Sequence, residues 1–398
     1  MSSEEEVPQN PNSEENAEKK LSKKDLAKLE RQCRRQEAAA AASAIAAVNI
    51  DDPLGVNYGE IPFNNLQSKE ISCKKWTDVK DLATDLKDES VLIRGRAQTI
   101  RAVGKKMAFV VVRKEGFTVQ CVLTVAQDVV SPQMVKFATS LSRESIIDIE
   151  GVVSVPAQSI TGATQQVEIQ VRKLYCVNRA DPLPFTIEDA SRSEAEIEKA
   201  LQAGEQLARV HQDTRLNFRY IDTRTPANQG IFSIRYQIKN KFSQFLLSEG
   251  FREIDTPTFI AGYSEGGSAV FKLDYKGKPA CLAQSPQLHK QMAVSGDFWR
   301  VFVTGPVYRA EDSNTHRHLC EFRGLDVEME IKEHYSEVMD IIDRLFVAIF
   351  DHLNENCSKE LEVIKRQYPF ENLKYLPKTL RLTFEEGVQM LKVRGDEC

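Results

Sequence analysis

The chain has 398 residues, 41% hydrophobic and 28% charged, with a formal net charge of −5. That length suggests two or three domains rather than one core, and no apolar run is long enough to span a bilayer. The acidic balance excludes a protein that is basic throughout, so any nucleic-acid binding must rest on local basic patches.

The first residues, with Glu4, Glu5 and Glu6, do not resemble a signal peptide, and the cytosol is the expected location. Eight cysteines are scattered with no C-x-x-C pair, so free thiols are expected rather than disulfides or structural zinc. Residues 1 to about 18 are polar and acidic and are expected to be disordered. "LSKKDLAKLERQCRRQEAAAAASAIAAV" follows. Ser22 and Asp25 form a capping-box pattern and the alanine run favours helix. Eight lysines and arginines between Lys19 and Arg35 make this helix basic. It is either a solvated helix or an arm for RNA or a partner. Asn49 to Pro62 reads as a linker by its turn residues.

From Ser90 the pattern changes to strands. "VLIRGRAQTI", "MAFVVVR" and "FTVQCVLTV" are three of them, with turns at "VGKK" and "KEG". "SPQMVKFATSL" is a helix. "SIIDIEGVVSV" and "QQVEIQVRKLYCV" complete five strands with a helix between the third and fourth. That order is the pattern of an OB-fold barrel. "DPLPF" then excludes a central strand, and "EDASRSEAEIEKALQAGE" is a charged, helical connector.

"NQGIFSIRYQIKNKFSQFLLSEG" predicts a long amphipathic helix with Gly250 as its stop. A strand, "FREIDTP", ends at Pro257. "SEGGSAVFKLDYKGKPACLAQSPQLHK" reads as strands alternating with Gly/Lys turns. "FWRVFVTGPVYR" and "FRGLDVEMEI" form an antiparallel pair, and "HYSEVMDIIDRLFVAIFDHL" a helix. The result is an α+β domain around an antiparallel sheet, without G-x-G-x-x-G or a Walker loop.

The loop joining that strand pair, "YRAEDSNTHRH", admits three readings. His316 and His318 could begin a metal site, although Arg317 between them would repel a cation. A solvated hairpin tip needs fewer residues than this loop has. A polyanion cradle uses Arg309 and Arg317 as planar donors to phosphate, a histidine as a further donor, and Phe322 as a ring face.

"GPVYRAEDSNTHRHLCEF" resembles motif 2 of the class II aminoacyl-tRNA synthetases. "FREIDTP" is similar to motif 1, which implies that Pro257 sits at a homodimer interface. An OB domain ahead of such a domain resembles the subclass for aspartate, asparagine and lysine. "SEGGSAVF" and "QSPQLHKQ" are similar to its aspartate-specific members from the eukaryotic cytosol. The expected architecture is therefore multidomain α/β. It runs from a tail, basic helix and linker over residues 1–62, through a five-stranded OB-fold anticodon-binding domain over 63–178 and a hinge over 179–211, to an incomplete class II α+β domain over 212–398.

The resemblance implies ATP-dependent conversion of L-aspartate to aspartyl-adenylate, with Mg²⁺ on the triphosphate, and transfer to tRNA(Asp). Arg309 would hold the α-phosphate and the amino-acid carboxylate. Glu311 would meet the adenine amine, Arg317, His318 and Leu319 would contact ATP, and Phe322 would stack on adenine. Glu265 would bind the substrate ammonium. Lys290, assisted by Gln287, would select the side-chain carboxylate over an amide. In the OB domain Phe109 would stack on an anticodon base and Gln120 would bond a base edge, although alternation alone also permits Phe109 in the core. The basic helix would contact RNA or other synthetases. Nothing after Leu380 resembles motif 3 or its Mg²⁺ carboxylates, so a truncated and impaired enzyme is expected. Two alternatives stand beside it: a non-catalytic tRNA-binding or regulatory form, and an asparagine-specific synthetase, against which Lys290 argues.

Overall fold

The structure is a computed structural model that describes residues 52–67, 74–264, 269–313, 315 and 317–394. The predicted basic helix lies outside the described residues. The chain divides into two units, 1–183 and 184–398.

The first unit holds strands β1 (Tyr58–Glu60), β2 (Ser90–Val103), β3 (Met107–Lys114), β4 (Phe117–Thr124), β5 (Ile146–Ser154) and β6 (Glu168–Asn178), with helix α1 (Pro132–Ser140) between β4 and β5. β3 shows why these residues form strands. Ala108, Val110 and Val112 point inward and are fully buried, while Phe109 points the other way and is half-buried. Glu115 and Gly116, both at positive φ, make a two-residue turn of the mirror-image kind that suits the strand twist. Ser131 caps α1 by accepting a hydrogen bond from the Met134 amide at 3.1 Å, and Pro132 takes the first helical position. Strand pairing runs β6–β4–β3–β2–β5, and β5 pairs with β6 in turn. The β4–β6 register is a short parallel one, Gln120 to Val122 against Glu168 to Gln170, so the barrel is thinly joined on that side. The five-strand OB pattern is thus present, with one addition. The segment expected to be a linker carries β1, which pairs in parallel with β6 at Leu174 to Cys176. Turn residues hid those three residues from a periodicity reading. Asp52 holds the segment in place: its carboxylate accepts from Tyr58 Oη at 2.8 Å and from Ser131 Oγ.

The second unit contains α2 (Pro226–Ser248), β7 (Arg252–Glu253), β8 (Phe259–Ile260), β9 (Lys272–Tyr275), β10 (Lys278–Leu282), α3 (Gln287–Ser295), β11 (Arg300–Tyr308), β12 (Glu321–Met329), α4 (Ser336–Asn356), α5 (Ser358–Gln367) and α6 (Phe384–Arg394). Short helices at Ile187–Ser191 and Glu194–Gln202 precede them, the latter opened by a Ser193/Glu196 capping box. β12, β11 and β7 form one sheet and β8, β10 and β9 another. One face of the β11–β12 hairpin packs on helices. Phe302 meets Phe242 of α2 edge to face, and Val327 and Met329 lie against the same cluster with Leu345 and Ile349 of α4. This leaves the opposite face for the site.

Two expectations need correction. "FREIDTP" contributes only Arg252 and Glu253 as a strand, with the Ile254 amide bonding Phe302 O at 3.0 Å. "QSPQLHK" is not strand or turn. From Gln287 it is helical, because Pro286 ends the extended chain and Gln, Leu, Lys, Met and Ala all favour helix. Among the described residues Cys121, Cys176, Cys281, Cys320 and Cys357 are free thiols. Burial pushes Cys121 well up, and Cys176 up to about 11, so both behave as core residues. No helix among the described residues is long and apolar enough to cross a membrane.

Candidate active site and nucleic-acid face

Alternation on β11 and β12 builds the site. Paired residues share a face, so Val307 with Phe322, Gly305 with Gly324, Val303 with Asp326 and Val301 with Glu328 line the side away from the helices. Arg309, two residues beyond Val307, joins that side: its Cζ lies 5.4 Å from the centre of the Phe322 ring. Its amide bonds Cys320 O at 3.0 Å, which closes the base of the loop.

At the other end of the strip, α3 lays Lys290 over the sheet. The lysine side chain is only 3% exposed. Its Nζ lies 3.5 Å from Asp326 Oδ1 and 3.6 Å from Glu328 Oε2, and donates to Val327 O at 3.2 Å. Two carboxylates and a carbonyl offset the cost of burying an ammonium. Gln287 Nε2 donates to Glu328 Oε2 at 3.0 Å, so one turn of α3 places both predicted residues on the same acid pair. Below them, Ser264 Oγ accepts from the Gln284 and Ser285 amides at 3.0 and 3.3 Å. Between the cation and the Arg309–Phe322 stack lies the Gly305–Gly324 pair. A side chain at Gly324 would collide with the Asp326 carboxylate. The floor is therefore bare backbone there.

In the loop above, described side chains bond one another. His318 Nε2 sits 3.6 Å from Glu311 Oε2, and His318 Nδ1 lies 2.6 Å from Thr315 Oγ1. Arg317 and Leu319 are exposed. Pro257 lines a small cavity of about 120 Å³ with Asp255, Ser285, Gly305 and Asp326. Glu265 and His316 lie outside the described residues. The sequence reading missed Asp326 and Glu328, although the period-2 spacing of Phe322, Gly324, Asp326 and Glu328 carries the signal. Among the described residues no group of three or more His, Cys, Asp and Glu side chains could hold a metal ion.

In the first unit, register gathers a second set. Arg101 opposes Phe109, and its Cζ lies 5.0 Å from that ring. Gln120 of β4 opposes Glu168 of β6 and donates to it at 2.6 Å. Phe109 and Gln120 share one outer face of the barrel, which carries a ring with a cation over it and an amide held by a carboxylate.

A barrel of this strand order, and a separate unit whose sheet carries a buried lysine and an arginine–phenylalanine stack, define a class II tRNA synthetase. Residues 211–394 match the family described as tRNA synthetases class II (D, K and N), and residues 91–177 match the OB-fold nucleic acid binding domain. The chain is 57% identical over 381 residues to cytoplasmic aspartate–tRNA ligase 1 of Arabidopsis thaliana, covering 95% of this chain and 71% of the relative. The aspartyl-tRNA synthetase of Entamoeba histolytica is similar in structure, with a TM-score of 0.74 at 40% identity over 85% of this chain and 67% of that one. An asparaginyl-tRNA synthetase from Pyrococcus horikoshii is more distant, at 26% identity and a TM-score of 0.64 over 81% of this chain and 68% of that one. The chain belongs to the cytoplasmic aspartate–tRNA ligase family. It spans between 63% and 71% of the length of the curated relatives it matches.

Proposed function

We propose that this chain carries the amino-acid and nucleotide sites of an enzyme that activates L-aspartate with ATP and transfers it to tRNA(Asp). The observation that carries this reading is one continuous strip of sheet. It holds an arginine stacked on a phenylalanine at one end and a buried ammonium at the other. Phe322 and Asp326 are four residues apart, about 13 Å along a strand. That span suits a nucleotide and an amino acid meeting end to end above the glycines.

In this reading Arg309 neutralises the charge that develops on the α-phosphate as the aspartate carboxylate attacks. Phe322 supplies the ring on which adenine stacks. Glu311, held beside His318, accepts from the adenine amine, and Arg317, His318 and Leu319 border the triphosphate. Lys290 faces the substrate's side-chain carboxylate, positioned by Gln287 and the Asp326–Glu328 pair. An amide in that place leaves the ammonium badly matched, which is the basis for excluding asparagine. Glu265 and Asp326 are the carboxylates suited to the substrate ammonium. Mg²⁺ enters as the counter-ion of ATP. Phe109 and Gln120 read the anticodon, Pro257 lies at the contact with a second copy of the chain, and the cytosol is the place of action.

The family relatives extend beyond the matched part, so we also propose that this chain alone makes little adenylate. The test is ATP–pyrophosphate exchange on this chain and on a version extended to the relatives' full length. Exchange driven by aspartate and not asparagine in the extended version is the expected result. Equal exchange with asparagine overturns the amino-acid assignment. Exchange by the shorter chain at the extended chain's rate overturns the claim of impairment.

A further inference from the structure

Strand β2 contains an irregularity within the barrel. Ala97 pairs with Val112 and Thr99 pairs with Val111, so Gln98 is an extra residue with no partner in the β3 register. Ala97 is fully buried in the barrel core, and Ile100 packs against that core. Two consecutive residues, Gln98 and Thr99, therefore face outward, onto the surface that carries Arg101, Phe109 and Gln120. Regular β5 pairing stops at Arg96, and the Ala97 amide and carbonyl bond the Ser145 carbonyl and the Glu144 amide instead. Within this bulge the side-chain oxygen of Gln98 is shut away from water, and nothing among the described residues donates a hydrogen bond to it. A desolvated, unpaired carbonyl costs the fold stability.

From this bulge we infer that Gln98 is a further specificity residue of the RNA-binding face, its carboxamide pairing with the edge of one nucleobase. A carboxamide offers a donor and an acceptor side by side, which is what base edges demand. The bulge stands three residues before Arg101, whose guanidinium lies over the Phe109 ring. Turning the side chain out to meet a base N–H gives the oxygen the hydrogen bond it lacks in the free protein. The inference rests on the reading of this surface as the anticodon face.

The test measures binding of the full chain to a tRNA(Asp) transcript and to transcripts with each anticodon nucleotide changed in turn. Gln98→Leu is expected to weaken binding to the parent transcript about tenfold and to abolish discrimination at one anticodon position only. Its melting temperature should equal or exceed that of the parent, because an unsatisfied carbonyl has gone. Gln98→Glu, similar in shape but without the donor, should lose the same discrimination. Phe109→Ala should weaken binding to every transcript. If Gln98→Leu binds and discriminates like the parent, or weakens all transcripts equally with a lower melting temperature, while Phe109→Ala is impaired, the role of Gln98 is refuted and the face stands. If Phe109→Ala also binds normally, the reading of the face falls and takes this inference with it.

Discussion

Lys290 is a buried ammonium shared by two carboxylates, and its position decides how its loss must be read. Lys290→Met leaves Asp326 and Glu328 facing each other without a cation. In the extended enzyme this substitution should lower kcat/KM for aspartate about 10³-fold or more. The KM for ATP should change less than about threefold, because Arg309 and Phe322 stand at the far end of the strip. Steady-state exchange kinetics check both numbers. Unchanged use of aspartate would sink the assignment of the acid-selecting cation. Without the motif around it Lys290 reads as a surface lysine; burial and its two acidic neighbours give it a physical ground of its own.

The element that organises the site is the β11–β12 hairpin. Its register sends Phe302, Val327 and Met329 to the helices and Phe322, Asp326 and Glu328 to the site. The glycine at position 324 keeps the floor open. Gly324→Ala places a methyl group against the Asp326 carboxylate and within 3.5 Å of Val307. Asp326 must move, and with it the partner of Lys290. Aspartate-dependent exchange should fall about 100-fold, as misplacement by about 1 Å commonly costs, while nucleotide binding measured by calorimetry holds. Retained exchange would show that Asp326 has slack. A second element, the β1 segment, is tied to the barrel by Tyr58. Burial, helped by the neighbouring Asp52 carboxylate, raises the Tyr58 phenol to about 12 from its ordinary value of 10.0. A raised acid pKa favours the neutral form in the folded state. Its stabilising contribution is therefore complete below pH 10 and is lost as pH climbs towards 12. Urea midpoints at about pH 9 and about pH 11 should fall further for the parent than for Tyr58→Phe. Equal losses would remove Tyr58 from the alkaline transition.

At the scale of the molecule, the two units keep separate cores. One is the barrel cluster from Val79 to Cys176, and the other joins α2, α4 and the hairpin from Phe242 to Cys357. Scanning calorimetry should resolve two transitions. tRNA(Asp) should raise the transition of the barrel, and ATP with aspartate that of the second unit, since a ligand stabilises the unit it binds. One indivisible transition would contradict this. The second unit also exposes apolar side chains along α4 and the segment after it, including Phe346, Leu376, Leu380 and Phe384. That surface predicts concentration-dependent association of the purified chain, measurable by light scattering. A monodisperse monomer at high concentration would be the contrary result.

Sequence by itself determined the elements whose cause is local. The OB strands follow from two-residue alternation, the turns at "VGKK" and "KEG" from residues that accept positive φ, and α2 from its apolar stripe and Gly250. It also marked Arg309 and Phe322, because a charged loop between two strands is conspicuous in one dimension. Only the tertiary structure decided which face each strand turns to the core. Alternation has two phases of equal merit until something packs against one of them. Packing sent Phe109 outward while Val110 went in, seated β1 against β6 within an apparent linker, and turned "QSPQLHK" into a helix that lowers Lys290 onto Asp326 and Glu328. Charges 36 and 38 residues apart along the chain meet only when a sheet and a helix close on one another, and the free energy that brings them together is burial on the opposite face.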